Sequence, residues 1–249
     1  MHNTHGDTHP TTQSPRRGDP GPLAAALHDL QHIFGDRLHA FVAYGDANAT
    51  PAPSLALVQA ITADDLNRCA ARVLSWHRAG CATPLMLTRD EFAGSLDAFP
   101  IEYGEILDTH RVLFGADPFA GLAIRDEDLR RACEVQVKSH LVHLRENYLE
   151  CGGKPAEVAA FVADSAPAFA LLLRRLARLD GVTVATGAEL VAYASSRKLD
   201  ARLVGDLLAL ARNGGASGVD AMRLYPDYLA AVDALWRFVD KWRAAPTGQ

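Results

Sequence analysis

Residues 38–62, LHAFVAYGDANATPAPSLALVQAIT, decide how the rest of the chain is read. An apolar run ends in Tyr44-Gly45, a polar loop containing Pro51 and Pro53 follows, and a second apolar run covers Ser54 to Val58. Short apolar runs bounded by Gly, Pro and Asn read as strands joined by a loop. Thr62 and Asp65 then stand three apart, a capping box with Asp in place of the usual Glu or Gln, so a helix begins there. Leu66, Cys69, Val73 and Trp76 recur at three or four residues as its buried stripe, and Gly80 supplies a left-handed stop.

Working back toward the N-terminus, Leu23, Leu27, Leu30 and Phe34 repeat at helical spacing behind Pro22, and Gly35 ends the run. His28 and His32 share a face of this helix at i, i+4, but the Glu of a metalloprotease helix is missing, so they read as solvent-facing. Residues 1–21 hold Met1 and no other large apolar side chain, which predicts a disordered tail. His2, His5 and His9 in that tail have no fixed geometry for a metal.

Toward the C-terminus, Pro84-Leu85-Met86-Leu87 reads as a short strand, and Thr88 with Glu91 caps another helix. Residues 98–106, AFPIEYGEI, read as a strand with Glu102 midway, and 110–115, HRVLFG, as a further strand closed by Gly. From Asp126 onward the period is purely helical. Leu129, Cys133, Val137, Leu141, Leu144 and Tyr148 line one long helix, and Pro155 opens a second that contains Pro167. Thr186 with Glu189 caps a third, residues 200–213 form a fourth that stops at Gly214-Gly215, and the last runs from about Pro226 to Arg243. Alternating strands and helices followed by five helices predict an α/β domain and then an α-helical bundle. The expected boundaries are 1–21 for the tail, 22–124 for the α/β domain and 125–245 for the bundle.

The order strand, Gly turn, loop, strand, helix resembles the opening of the nucleotidyltransferase superfamily, and a bundle behind it resembles the aminoglycoside-type members. In that family the turn is Gly-Ser or Gly-Gly, and the second strand carries Asp-x-Asp for two metal ions. Here the turn is Gly45-Asp46, and Ser54-Leu55-Ala56-Leu57-Val58 has no carboxylate in any register. The resemblance implies a nucleotide site at Gly45, Asp46 and Ser54, and it places Glu102 where the family's third metal-site carboxylate stands. Glu102 and Asp46 are accordingly the candidate catalytic residues, with Mg²⁺ as the cofactor if the chain is active.

Nucleotidyl transfer needs hard-oxygen ligands for the ions that neutralise the transferring phosphoryl group. Two carboxylates at i and i+2 of a strand point to one side, whereas Ser54 with Ala56, or Leu55 with Leu57, cannot replace them. Asp46 adds a negative charge where a triphosphate would lie. At about 4 Å two unit charges repel by ~1 kcal/mol in water and ~4 at an effective dielectric of 20. The expectation is therefore a catalytically degenerate member that binds a nucleotide or small molecule in an interdomain cleft, or a protein partner. An active Mg²⁺-dependent transferase and a structural or assembly protein stay open as alternatives.

Composition narrows the field further. A net charge of -5 and a pI near 6.0 give no general attraction to nucleic acid. Cys69, Cys81, Cys133 and Cys151 show no zinc spacing. Neither a secretory leader nor a run of ~18 continuous apolar residues is present, so a cytoplasmic protein without a membrane span is expected. No Walker loop, G-x-G-x-x-G or G-x-S-x-G elbow occurs. Arg174, Arg175 and Arg178 cluster on the second bundle helix and read as a solvated face.

Overall fold

The structure is a computed structural model and describes residues 19–184, 186–213 and 220–242. Residues 1–18 of the expected tail with His2, His5 and His9, the stop at Gly214-Gly215 and the end near Arg243 lie outside the described residues, whereas Gly21, expected in the tail, opens a single 3-10 turn over Gly21–Leu23. Contacts divide the chain into one unit of Met1–Ser95 with Glu105–Leu122 and a second of Leu96–Gly104 with Ala123–Gln249.

In the first unit, α1 (Ala24–Phe34) leads into strand β1 (Leu38–Ala43), the loop after Tyr44 returns as β2 (Ser54–Val58), and β3 (Leu85–Thr88) and β4 (Arg111–Gly115) complete a four-stranded sheet. The order is β3-β2-β1-β4. β1 pairs antiparallel with β2 and β4, and β2 pairs parallel with β3. A parallel neighbour requires a crossover, which α2 (Ala63–Ala70) and α3 (Val73–Arg78) supply. Leu23, Leu30 and Phe34, Phe41 of β1, Ala56 and Val58 of β2, Cys69, Trp76 and Leu113 pack into one core. Trp76 is fully buried, and its indole N–H donates to Asp29 Oδ2 at 2.9 Å, so the ring's one polar group keeps a partner.

The Thr62 capping box is present, and Asp65 does more than cap. It is buried, accepts from Thr62 N, and is gripped by both terminal nitrogens of Arg37 at 2.8 and 2.7 Å. Arg37 holds its carboxyl well below the usual carboxylate range, with the Thr62 bonds adding to the effect. A depressed carboxylate contributes stability above its unfolded pKa, and that contribution is lost as the pH falls through the ordinary carboxylate range. Asp65→Asn is expected to lower the urea midpoint at neutral pH with an unchanged slope, and to narrow the gap to wild type at acid pH; equal midpoints at neutral pH would show that the pair contributes nothing.

Several expectations are corrected. The helix after Thr62 is broken between α2 and α3, and Leu66 of α2 stands 48% exposed while Cys69 and Trp76 are buried. Residues 98–106 are not a strand. They run into helix α5 (Pro100–Thr109), in which Pro100, Ile101, Tyr103, Gly104 and Ile106 are buried. Proline at the first helical position lacks only an N–H that would be orphaned there anyway, and Pro100 with Tyr103 and Ile106 repeats at three. α4 (Arg89–Gly94) carries the expected Thr88–Glu91 box.

The second unit is built from α6 (Asp126–Glu150), α7 (Pro155–Leu179), α8 (Gly187–Ser196), α9 (Ala201–Asn213) and α10 (Ala221–Lys241). α7 packs against α6, α8, α9 and α10, and it runs through Pro167 as one helix. By length and composition α7 is apolar enough to cross a membrane despite Asp164, a property that a reading for unbroken apolar runs misses. The core helix of a folded bundle passes the same test, and Val162, Phe169, Leu172, Leu173 and Leu176 of α7 are buried. α10 begins at Ala221, before Pro226, because Asp220 caps it through the backbone N–H of Arg223. Arg175 is also corrected, since it is 4% exposed and not on a solvated face. A Cβ on Gly104 would come within 2.8 Å of its Nη1, so the glycine leaves room for the guanidinium.

Candidate functional site

β1 delivers its chain end to Tyr44 and Gly45, where φ of +73° makes the turn that glycine adopts without strain. The Gly45 N–H donates to Thr109 Oγ1 at 2.8 Å, and Thr109 Oγ1 in turn donates to the Glu105 carbonyl at 2.6 Å. A Cβ placed on Gly45 would lie 3.6 Å from Pro53 Cγ and 3.9 Å from Glu105 Oε1. The last turn of α5 therefore packs a hydroxyl and a carboxylate against the turn. Asp46 is exposed and folds back locally, accepting from Asn48 N through Oδ1 at 2.9 Å, while Ala49 N donates to its carbonyl. This is an Asx turn, and it occupies one side of the carboxylate.

Ser54 opens β2 opposite Ala43 and is 1% exposed. Its hydroxyl lies beside the Cys81 thiol, which burial holds above the ordinary thiol value with Ser54 partly offsetting the effect. The other positions of β2 are equally closed, with Leu55, Ala56, Leu57 and Val58 all at 0 or 1% exposure.

Glu102 is exposed on the first half of α5. On a helix it shares a side with Glu105 at i, i+3, which the strand reading forbade. Of the candidate residues the fold thus brings Gly45 beside Glu105 and Thr109, leaves Asp46 at the surface, and seals Ser54 inside. Thr109 was not singled out from sequence. Its signal is the i, i+4 spacing from Glu105, legible only once residues 100–109 are helical. Two carboxylates, Asp46 and Glu105, flank the turn, and among the described residues no group of three or more His, Cys, Asp or Glu could hold a metal ion.

Elsewhere, His28 and His32 are exposed on α1, as expected. Arg175 lies close enough to the buried Cys133 thiol to oppose the rise that burial causes, which still reaches about 12. A buried polar cluster of the helical unit joins three helices. His140 Nε2 of α6 meets Tyr228 OH of α10 at 2.5 Å, and Tyr228 OH meets Ser165 Oγ of α7 at 3.2 Å.

A mixed four-stranded sheet with this element order, continued by a helical bundle, is a nucleotidyltransferase-like α/β domain followed by an α-helical domain. The crystal structure of spectinomycin adenyltransferase AAD(9) from Enterococcus faecialis with ATP and spectinomycin is similar to this chain with a TM-score of 0.55, covering 86% of this chain and 98% of the other. Sequence identity over that match is 11%, so the likeness is one of fold. No protein-family model matches the chain, and no curated protein matches it.

Proposed function

We propose that this chain is a nucleotidyltransferase-fold protein that has lost nucleotidyl transfer and acts by binding. On this reading residues 22–124 form the nucleotidyltransferase-like domain and 125–245 the helical domain. The observation that carries it is β2, where the strand positions that would present a carboxylate pair are Ser54 with Ala56 or Leu55 with Leu57, each at most 1% exposed. Restoring aspartates there would bury unpaired charge, so the loss is built into the packing and is not a single missing side chain. The turn supports the same reading, because the Gly45 N–H is taken by Thr109 and Asp46 and Glu105 place negative charge beside it. The similar adenyltransferase was solved with ATP and a small molecule, which makes a small ligand or nucleotide the first class to test on this chain. Metal-dependent transfer with Asp46 as a displaced ligand is the second reading, favoured by the Glu105 carboxylate lying against the same turn.

Thermal unfolding with ATP, GTP, CTP and UTP, each with Mg²⁺ and with EDTA, separates the two. A ligand at about one hundred times its Kd adds ~2.7 kcal/mol. The expected result is no Mg²⁺-dependent rise in midpoint and no pyrophosphate release. A rise that needs Mg²⁺, is abolished by Asp46→Asn or Glu105→Gln, and comes with pyrophosphate release would overturn the proposal in favour of the enzyme.

A further inference from the structure

Val135, Val142 and Leu149 of α6 are 63%, 48% and 77% exposed. Single exposed apolar residues are ordinary, but these three are seven apart on one helix. A heptad repeat drifts only ~20° per step on an α-helix, so they form one continuous line. The other side of α6 is occupied, since it packs on α7 and α10 through Cys133, Val137, Leu141 and Leu144. The line is therefore a seam with no covering element in this chain's described residues.

We propose that this seam is the contact between two copies of the chain, with the two α6 helices side by side and parallel about a two-fold axis, so that each of the three residues meets its own counterpart. The flanking charges select both the occupant and the orientation. At roughly 100° per residue, Lys138 and Arg145 lie on one flank of the seam and Glu146 on the other. In a parallel two-fold pair opposite flanks meet, which sets Arg145 of each copy against Glu146 of the other. In an antiparallel pair like flanks meet, which sets Arg145 against Lys138, already paired with Glu134 of its own helix, and leaves Glu146 without a cationic partner. Two heptads bury little area beside a standard interface, so the dimer is a concentration-dependent one.

Sedimentation velocity over about a hundredfold range of protein concentration tests this. Wild type is expected to move from monomer toward dimer mass, and Val142→Asp to remain monomeric with an unchanged thermal midpoint, because the position is exposed in the free chain. Arg145→Glu should weaken the dimer, and the double variant R145E/E146R should restore it. The four native cysteines are buried, so Val135→Cys introduces an accessible thiol that oxidises to a covalent dimer only if the helices are parallel. A wild type that stays monomeric throughout, a dimer indifferent to Val142→Asp, or a Val135→Cys protein that does not cross-link would each overturn the proposal.

Discussion

Gly115→Ala is expected to destabilise the first unit by at least about 3 kcal/mol. Gly115 ends β4 with φ of +83° and pairs with Ala40 of β1. A Cβ there would lie 2.1 Å from the His39 carbonyl oxygen and 3.1 Å from Ala40 Cα. Both are backbone atoms of the central strand, so neither can swing aside as a side-chain tip would. Relief requires β4 to slide or lift, which breaks the pairing that closes the sheet on that side. Urea unfolding of the variant checks this, and Gly94→Ala is the control, since no atom lies within 4 Å of a Cβ at that helical position and its φ is unremarkable. The control should stay within about 1 kcal/mol of wild type. A loss of less than that at Gly115 would mean the strand pair tolerates a shift.

Mild acid is expected to weaken the helical unit through His140. Burial lowers its pKa to about 4, with His143 nearby adding to the effect. In the unfolded chain the imidazole titrates near its ordinary value of ~6.5. A lowered histidine contributes fully above that value, and its contribution is lost as the pH falls from ~6.5 toward 4, because only the unfolded state takes up the proton. Over that window the loss approaches about 3 kcal/mol. The carboxylates held low by Arg37 or by helix caps act below the ordinary carboxylate range, so the interval from pH 6.5 to about 4.5 isolates the histidine. Burial keeps the ring neutral, and the hydrogen bonds fix its tautomer. Ser165 Oγ donates to the Val162 carbonyl, which leaves it to accept from Tyr228, and Tyr228 then accepts from His140. Counting donors this way assigns the proton to Nε2 of a neutral ring. Burial also holds the Tyr228 hydroxyl above its ordinary value, so it offers no counter-charge. Urea unfolding followed by far-ultraviolet circular dichroism should show a steep loss of stability in wild type and a flatter profile in His140→Gln, which should also be less stable at neutral pH. Parallel profiles for the two proteins would rule the histidine out as the cause.

Features carried by adjacent residues were legible without coordinates. The three capping boxes at Thr62, Thr88 and Thr186 form as read, because each needs only a side chain and a backbone N–H three residues apart. Gly80 and Gly115 take positive φ where stops were expected, and β1, β2 and the long α6 occupy the segments whose periods announced them. The missing carboxylates of β2 belong to the same class, being a matter of residue identity alone.

Residues 98–106 show where that legibility ends. Ile101 and Tyr103 satisfy a period of two as readily as a helical one, and the tertiary structure decides for α5, with Pro100, Tyr103 and Gly104 buried on one side of the helix. That decision moved Glu102 off a strand and brought Glu105 and Thr109 to the Gly45 turn. Arg175 reads as solvated from its neighbours Arg174 and Arg178, yet it is buried at a space that Gly104, seventy-one positions earlier, leaves open. Leu66 reads as core and is exposed, because α2 turns Asp65 and Cys69, one turn apart, inward and leaves Leu66 off that face. The sequence by itself determined β1, β2 and α6, the three threonine caps and the absence of an Asp-x-Asp pair, since these follow from local sterics and residue chemistry. The tertiary structure alone decided which face each element buries and who partners the Gly45 N–H, because those depend on residues far apart in the chain that only packing brings together.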